Sequence, residues 1–415
     1  MIALRAALAA EPGPAAWDEI CSAAEGASEP DVAEAALRLR AWPYRLRRMP
    51  DRWWAQRQAG EHRPWHRLAT HRLLCWNHPE GGVSALACPD DLSVLLLGTG
   101  PEGNNWPGST ELVVPKAEID AADTEEMPED DELPAVLATL DVAGMAWEAL
   151  FSPDGSRLVA GFDAVTSPEP GLVVYGRDGQ RRHTVPVRAA GATDPDEPDL
   201  PFLRLAQSRD GRLIAGAGGP AQAVAVAEVA TGRVLMTAAG ATGPVALDPD
   251  GRLVAYADAA GQVCVREVAS GRLIATAGAG LARVNALAFA PDSAYVLAAG
   301  GADPTGERPA ARVLSVADGG PAGPVVVAAD PDAVLDSWAP FACWSTRASW
   351  TGRRPWVFAS DDERAVLMDG STGEIGWTSV EGLAVGAFTS GGEVFLTADP
   401  GGVVAAWFLH TLAGD

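Results

Sequence analysis

Lysine is almost missing from this chain. Lys116 stands alone beside 30 arginines, and the 31 basic residues face 55 Asp and Glu, for a formal net charge of −24. That balance disfavours nonspecific nucleic-acid binding by the whole molecule, because a polyanion would meet a like-charged surface. No run of 18 apolar residues occurs, so no membrane span is expected. Met1 to Ala10 is apolar but short, interrupted by Arg5 and followed by Glu11 and Pro12. It reads as an opening helix rather than a secretion signal. Cysteine is scarce: Cys21, Cys75, Cys88, Cys264 and Cys343 are odd in number and lack CxxC spacing. Buried reduced thiols in a cytoplasmic protein are expected, not a disulfide framework.

Catalytic signatures are missing as well. There is no Walker A sequence, no HExxH and no GxSxG elbow. Gly98, Gly100 and Gly103 spell GxGxxG, but Asn104, Asn105, Trp106 and Pro107 continue a loop where a phosphate cradle needs a helix. His62, His66, His71, Cys75 and His78 crowd within 17 residues. Pro64 interrupts the first pair, and on a strand His78 falls on the face opposite His71 and Cys75, so no metal is expected. His183 and His410 have no neighbouring Ser or Cys that would make a nucleophile pair. No catalytic residue and no cofactor is assigned.

What the chain has in quantity is repetition. FSPDGSRLVAG from Phe151, QSRDGRLIAGA from Gln207, LDPDGRLVAYA from Leu247 and FAPDSAYVLAA from Phe289 share one grammar: apolar strand, tight turn, apolar strand. Looser copies begin at Cys88, Trp350 and Phe388. A second hairpin follows at Asp178-Gly179, Thr231-Gly232, Ser270-Gly271, Asp318-Gly319 and Thr372-Gly373, where glycine supplies the left-handed backbone of a tight turn. Each unit is therefore a four-stranded antiparallel sheet, too thin to bury its own faces, and a period of roughly 40 to 50 residues points to propeller blades. Only three strands follow Phe388, so a strand at about 71–77 (HRLLCWN) is expected to complete the last sheet and remove its bare edge.

The repeat phase, the turn residues and the split closing blade resemble the WD40-like β-propeller family in a divergent bacterial form. The resemblance covers about residues 70–415 and implies an all-β, seven-bladed β-propeller. The chain departs from the family at the Trp-Asp position, with Ala227-Glu228, Arg266-Glu267 and Met368-Asp369, and only Trp407 keeps the tryptophan. No Gly-His pair opens a blade. The arginine and alanine bias is that of a GC-rich, actinobacterial-like genome.

Residues 1–69 read as a small α-helical module. Its last part, Arg38 to Arg72, holds ten arginines and Trp42, Trp53, Trp54 and Trp65 against only Asp51 and Glu61. Arg45, Arg47, Arg48 and Arg52 with Trp53 and Trp54 form a basic, aromatic surface. Docking onto the acidic propeller, a protein partner, and nucleic-acid association through phosphate contacts and stacking are the three readings of it. Within the propeller, turns joining the first to the second strand and the third to the fourth are short, so long connections gather on the opposite face. Asn104, Asn105, Trp106, Asp303, Glu307, Arg308 and Trp338 on that face are candidate partner contacts, since loops on a rigid frame carry recognition. Glu118 to Glu132, with nine carboxylates in 15 residues, sits on the trimmed face and reads as a solvated loop. The expected function is a non-enzymatic protein-protein interaction scaffold, monomeric unless held in a complex, with an unknown protein partner. The alternative is an enzyme or small-ligand binder using the central funnel.

Overall fold

The computed structural model describes residues 69–75, 83–89, 94–99, 110–114, 135–140, 146–162, 171–185, 204–218, 223–302, 308–329, 347–351, 354–360, 365–373, 375–379, 385–389, 394–398 and 403–408. The helical module expected over residues 1–69 lies outside them except at its last residue, Ala69, which begins a strand.

Strand β1 is Ala69–Cys75. The next sheet holds β2 (Val83–Ala87), β3 (Leu95–Thr99), β4 (Thr110–Val114) and β5 (Ala135–Thr139). It is followed by β6 (Ala146–Phe151), β7 (Arg157–Phe162), β8 (Gly171–Gly176) and β9 (Arg181–Val185). The third runs β10 (Arg204–Gln207), β11 (Leu213–Gly218), β12 (Ala223–Glu228) and β13 (Val234–Ala239). The fourth runs β14 (Ala241–Leu247), β15 (Leu253–Asp258), β16 (Gln262–Glu267) and β17 (Leu273–Gly278). In the fifth, β18 (Arg283–Phe289), β19 (Tyr295–Gly301) and β20 (Pro309–Ser315) are flanked by two short pieces, β21 (Gly320–Pro321) and β22 (Val326–Val327), both paired with β20. The sixth is β23 (Arg347–Thr351), β24 (Arg354–Ser360), β25 (Ala365–Asp369) and β26 (Ile375–Ser379). Last come β27 (Val385–Phe388), β28 (Val394–Ala398) and β29 (Val403–Phe408), and β1 joins them in the order β1-β29-β28-β27.

The architecture is a β-propeller. Uninterrupted chain supplies six blades rather than seven, and the remaining sheet is a composite of the first strand with the last three. The ring closes through the inner strands: β2 packs on β6, β6 on β10, β10 on β14, β14 on β18, β18 on β23, β23 on β27, and β27 on β2.

No blade has a core of its own. Val159 and Leu172 of the second sheet cluster with Ile214 and Ala227 of the third, all at most 1% exposed. Leu213 and Val226 of the third pack with Val254 and Tyr256 of the fourth, and Ala255 and Val263 of the fourth with Val296 and Leu314 of the fifth. Each cluster straddles two neighbours, so burial at ~25 cal/mol per Å² stabilises the stack rather than any single sheet. Between the sixth sheet and the composite one, Phe358 and Phe395 meet with ring centroids 4.7 Å apart. A side chain at Gly386 would run into the Phe358 ring, which accounts for glycine there.

The inner turns explain the repeat. Ser152 N–H donates to Arg157 O, Ser208 N–H to Leu213 O, Asp248 N–H to Leu253 O and Ala290 N–H to Tyr295 O, all within 3.0 Å. The first three also cap the returning strand with their side chains. Ser152 Oγ accepts from Arg157 N–H (3.0 Å), Ser208 Oγ from Leu213 N–H (2.9 Å) and Asp248 Oδ1 from Leu253 N–H (2.8 Å). These side chains are buried because the strands they close are buried. Hydrogen bonds from Ser152 and Ser156 hold the Asp154 carboxyl below its usual value. Burial raises that of Asp210, but bonds from Ser208 and the Arg212 N–H outweigh it and the net shift is also downward. The stabilisation from both carboxylates is complete above the ordinary Asp value of ~3.9 and is lost as pH falls through the lowered ones.

The third turn residue has a left-handed backbone: Gly155, Gly211 and Gly251 have φ of 64°, 68° and 68°. At Gly251 an added Cβ would also lie 2.8 Å from Leu213 Cδ1 of the neighbouring sheet. Gly251→Ala is therefore expected to destabilise the protein by about 2 kcal/mol, from backbone strain plus overpacking, read as a lower denaturation midpoint at unchanged slope. An unchanged midpoint would show that Leu213 yields freely.

Candidate functional site: the axial channel

The seven inner strands enclose a cavity of about 530 Å³ on the ring axis, and each of them contributes lining residues. One end is walled by the proline-bearing inner turns, with Pro153, Pro249 and Pro291. Toward the other end the lining becomes polar and charged.

Glu148 on β6, Arg204 on β10 and Arg347 on β23 occupy one repeat position. Each stands four residues ahead of the residue that closes its inner hairpin: Ser152, Ser208 and Thr351. Their registers agree, with Glu148 opposite Gly161, Arg204 opposite Ala217 and Arg347 opposite Phe358. Equal height in the ring and a common inward direction bring three charged side chains from separate sheets into one layer.

Glu148 ties the layer together. Its Oε2 accepts the Leu205 N–H at 2.9 Å, fastening the second sheet to the third. Its Oε1 lies 3.9 Å from Arg347 Nε, an ion pair between sheets that are not neighbours in the ring. The two side chains are only 11% and 17% exposed. Burial, and then the nearby charge of Arg204, lower the Arg347 guanidinium to about 10, with Glu148 pulling the other way. Arg347 stays charged at neutral pH, and its lowered value measures the cost of holding that charge inside. Because the unfolded chain binds more protons between about 10 and the ordinary arginine value, stability rises with pH across that window and the cost persists below it.

Arg209, an exposed residue of the inner turn after Ser208, also borders the cavity. Among the described lining residues, Glu148 is the one carboxylate against Arg204, Arg209 and Arg347. Among the described lining residues, arginines thus outnumber carboxylates in a chain whose net charge is strongly negative. Neutral polar groups line the cavity too, among them Asn285, which sits at a register shift between Val284 and Ala286 of β18, and Gln207 and Thr389, each of which keeps a buried side-chain oxygen with no hydrogen-bond partner.

Of the surface candidates named from sequence, Arg308 is described. It is half-buried and built into its blade: Nη2 donates to Ala328 O at 2.9 Å and its carbonyl accepts from Ala302 N–H at 3.0 Å. Asn104, Asn105, Trp106, Asp303, Glu307 and Trp338 lie outside the described residues, as do Arg45, Arg47, Arg48, Arg52, Trp53, Trp54 and the acidic stretch 118–132. Cys88 and Cys264 are buried, and burial raises the pKa of Cys264. Among the described residues no three His, Cys, Asp or Glu gather as a metal would require, and no helix is long and apolar enough to cross a membrane.

Sequence reasoning passed over Glu148, Arg204 and Arg347. The signal was present in the alignment of the copies on their inner turns: EALF, RLAQ and RASW each open on a charge at the same place in an otherwise weakly polar strand. Comparison with known proteins finds no matching family and no matching curated protein.

Proposed function

We propose that this chain is a non-enzymatic protein-protein interaction platform. It is read as a cytoplasmic bacterial protein whose seven-bladed, WD40-like propeller spans about residues 70–415, the composite sheet being the seventh blade. Residues 1–69 form its helical module, docked on the acidic propeller through arginines and tryptophans.

One observation carries the reading. The connections from β3 to β4, from β19 to β20 and from β22 to β23 all leave the same end of the ring, as strand polarity requires. They contain Asn104 to Trp106, Asp303 to Glu307, and Trp338. A rigid frame that anchors several recognition segments on one side lowers the entropy lost on binding. The mechanism is display, with no bond made or broken.

The test is affinity capture from the cells that make the protein, using the full chain and a Trp106→Ala, Trp338→Ala double variant. A protein partner retained at raised salt by the wild type, and at least about tenfold less by the double variant, is the expected result, because aromatic anchors dominate interface energies. An identical partner set for both would remove this face from consideration. Retention of nucleic acid that falls steeply with salt would replace the reading with the nucleic-acid one.

A further inference from the structure

We infer that the outer strand β5 is the docking place of the chain's own residues 38–68, which cover Val136 and Leu137 with tryptophan and are drawn there by opposite charge. The inference rests on the docking part of the proposed function and adds the surface on which it occurs.

The surface is an apolar edge. Among the described residues β5 pairs with β4 alone, as the outermost strand of the first sheet. Its Val136 and Leu137 are 51% and 52% exposed, the one adjacent pair of exposed large hydrophobics among the described residues. The outer strands β13 and β17 show the same irregularity of register, and there the matching pairs are Val234 with Leu235 and Leu273 with Ile274. In both of those the second member is half-buried. Ala138 of β5 is packed in the usual way, since a side chain at Gly179 of the second sheet would run into it. An apolar pair on an unpaired sheet edge invites contact with another segment, and folded proteins cover such edges.

Ring closure brings one segment to that edge. Ala69 opens β1, the outer strand of the composite sheet, and this sheet neighbours the first one through β27 and β2. Ala69 lies opposite Phe408, which lies opposite Val394, the first residue of β28 after the inner turn. Ala135 lies opposite Val114, and the adjacent Val113 lies opposite Leu95, again beside the inner turn. Both outer strands therefore start at the same end of the ring, in adjacent sheets.

The sequences that lead into these two strands carry opposite charge. Residues 38–68 hold nine arginines and four tryptophans against Asp51 and Glu61. Residues 118–132 hold nine carboxylates and no basic residue. Ten extended residues span about 33 Å, so the chain before Ala69 reaches the neighbouring sheet with length to spare. Tethering also gives this segment an effective concentration that a free partner would have to exceed. A second copy is a poorer occupant, because each chain carries a net charge of −24.

Limited trypsin digestion of the full chain tests the inference, since the arginines of the segment are its cleavage sites. Cutting within residues 38–68 is expected to be at least about tenfold slower than in a synthetic peptide of the same residues, because cleavage follows the fraction of time the segment is released. A Val136→Thr, Leu137→Thr double variant should be cut about tenfold faster than the wild type while melting like it, since both side chains are exposed. Salt at about 1 M should speed cutting several-fold relative to the peptide. Peptide-like cutting of the wild type would refute docking itself, and the inference with it. Slow cutting that the double variant leaves unchanged would keep docking but overturn β5 as its place. A rate indifferent to salt would overturn the charge attraction that selects this segment. Protection lost on dilution, with a dimer mass by light scattering, would make a second copy the occupant and overturn the inference. Should the double variant melt differently, the single Val136→Thr and Leu137→Thr proteins, each cut about threefold faster, decide by the same comparison.

Discussion

Replacing Ala69–Cys75 by a seven-residue Gly/Ser stretch is expected to abolish the cooperative melting of the propeller or to lower its midpoint by more than about 10 °C, and to cause self-association. The strand β1 supplies the outer partner of β29, with registered pairs from Ala69 opposite Phe408 to Cys75 opposite Val403 and one irregularity between Arg72 and Leu74. Loss of this strand strips the ladder from one side of β29, leaving unpaired N–H and C=O groups along a sheet edge. The effect exceeds that of a frayed terminus, because a ring held by contacts between neighbours loses stability at two interfaces when one sheet is weakened. The composite sheet meets β2 on one side and the sixth sheet on the other through β27. Differential scanning calorimetry and light scattering check the prediction. A melting profile like that of the wild type, with no change in mass, would show that β29 closes the ring unaided.

Asp248→Ala should destabilise the protein by about 3 kcal/mol, the cost of orphaning buried donors that one carboxylate now satisfies. Asp248 is completely buried. Its Oδ1 accepts the Leu253 N–H at 2.8 Å within its own turn. Its Oδ2 accepts the Ser293 hydroxyl at 3.0 Å from the turn of the next blade, and Arg252 Nε lies 3.9 Å away. Ser293 has φ of 60° at the position where three other inner turns carry Gly155, Gly211 and Gly251. The bond to Asp248 compensates for that left-handed conformation, so the fourth and fifth blades share one device. Asp248→Ser restores the cap found at Ser152 and Ser208 but not the link to Ser293, and should recover about half of the loss. A double-mutant cycle of Asp248→Ala with Ser293→Ala should give a coupling of about 1 kcal/mol. Denaturation midpoints measure all three. Additive losses would mean that the inter-blade bond contributes nothing to stability.

The degree to which the fold was legible differs from element to element. The inner hairpins were read directly, because a buried turn of this kind needs a capping Ser or Asp, then Asp-Gly, and those letters recur at Ser152, Ser208 and Asp248. The partial copies at Cys88 and Trp350 were legible for another reason: their strands alternate or run apolar, and period-two patterning survives the loss of turn residues. Arg308 shows the opposite case. A charged residue in a long connection reads as a surface contact, yet its guanidinium holds the Ala328 carbonyl inside the fifth blade. Nothing within the connection signals that Ala328, 20 residues downstream, needs a donor.

The channel charges were illegible for a similar reason. Glu148, Arg204 and Arg347 are separated by 56 and 143 positions in the chain. Each alone looks like an ordinary charge at the mouth of a strand, and only closure of the ring sets Arg347 of the sixth sheet against Glu148 of the second.

The chain's letters by themselves determined the unit: which segments are strands, where each hairpin turns, and that thin sheets must stack on one another. Those properties follow from alternation, turn chemistry and capping, all of which act over a few residues. The missing strand of the last sheet was legible too, expected at about 71–77 and found at Ala69–Cys75. Tertiary structure alone decided which side chains meet on the axis. Charge interaction depends on distance in space and on how completely water is excluded, and both quantities exist only after the ring has formed.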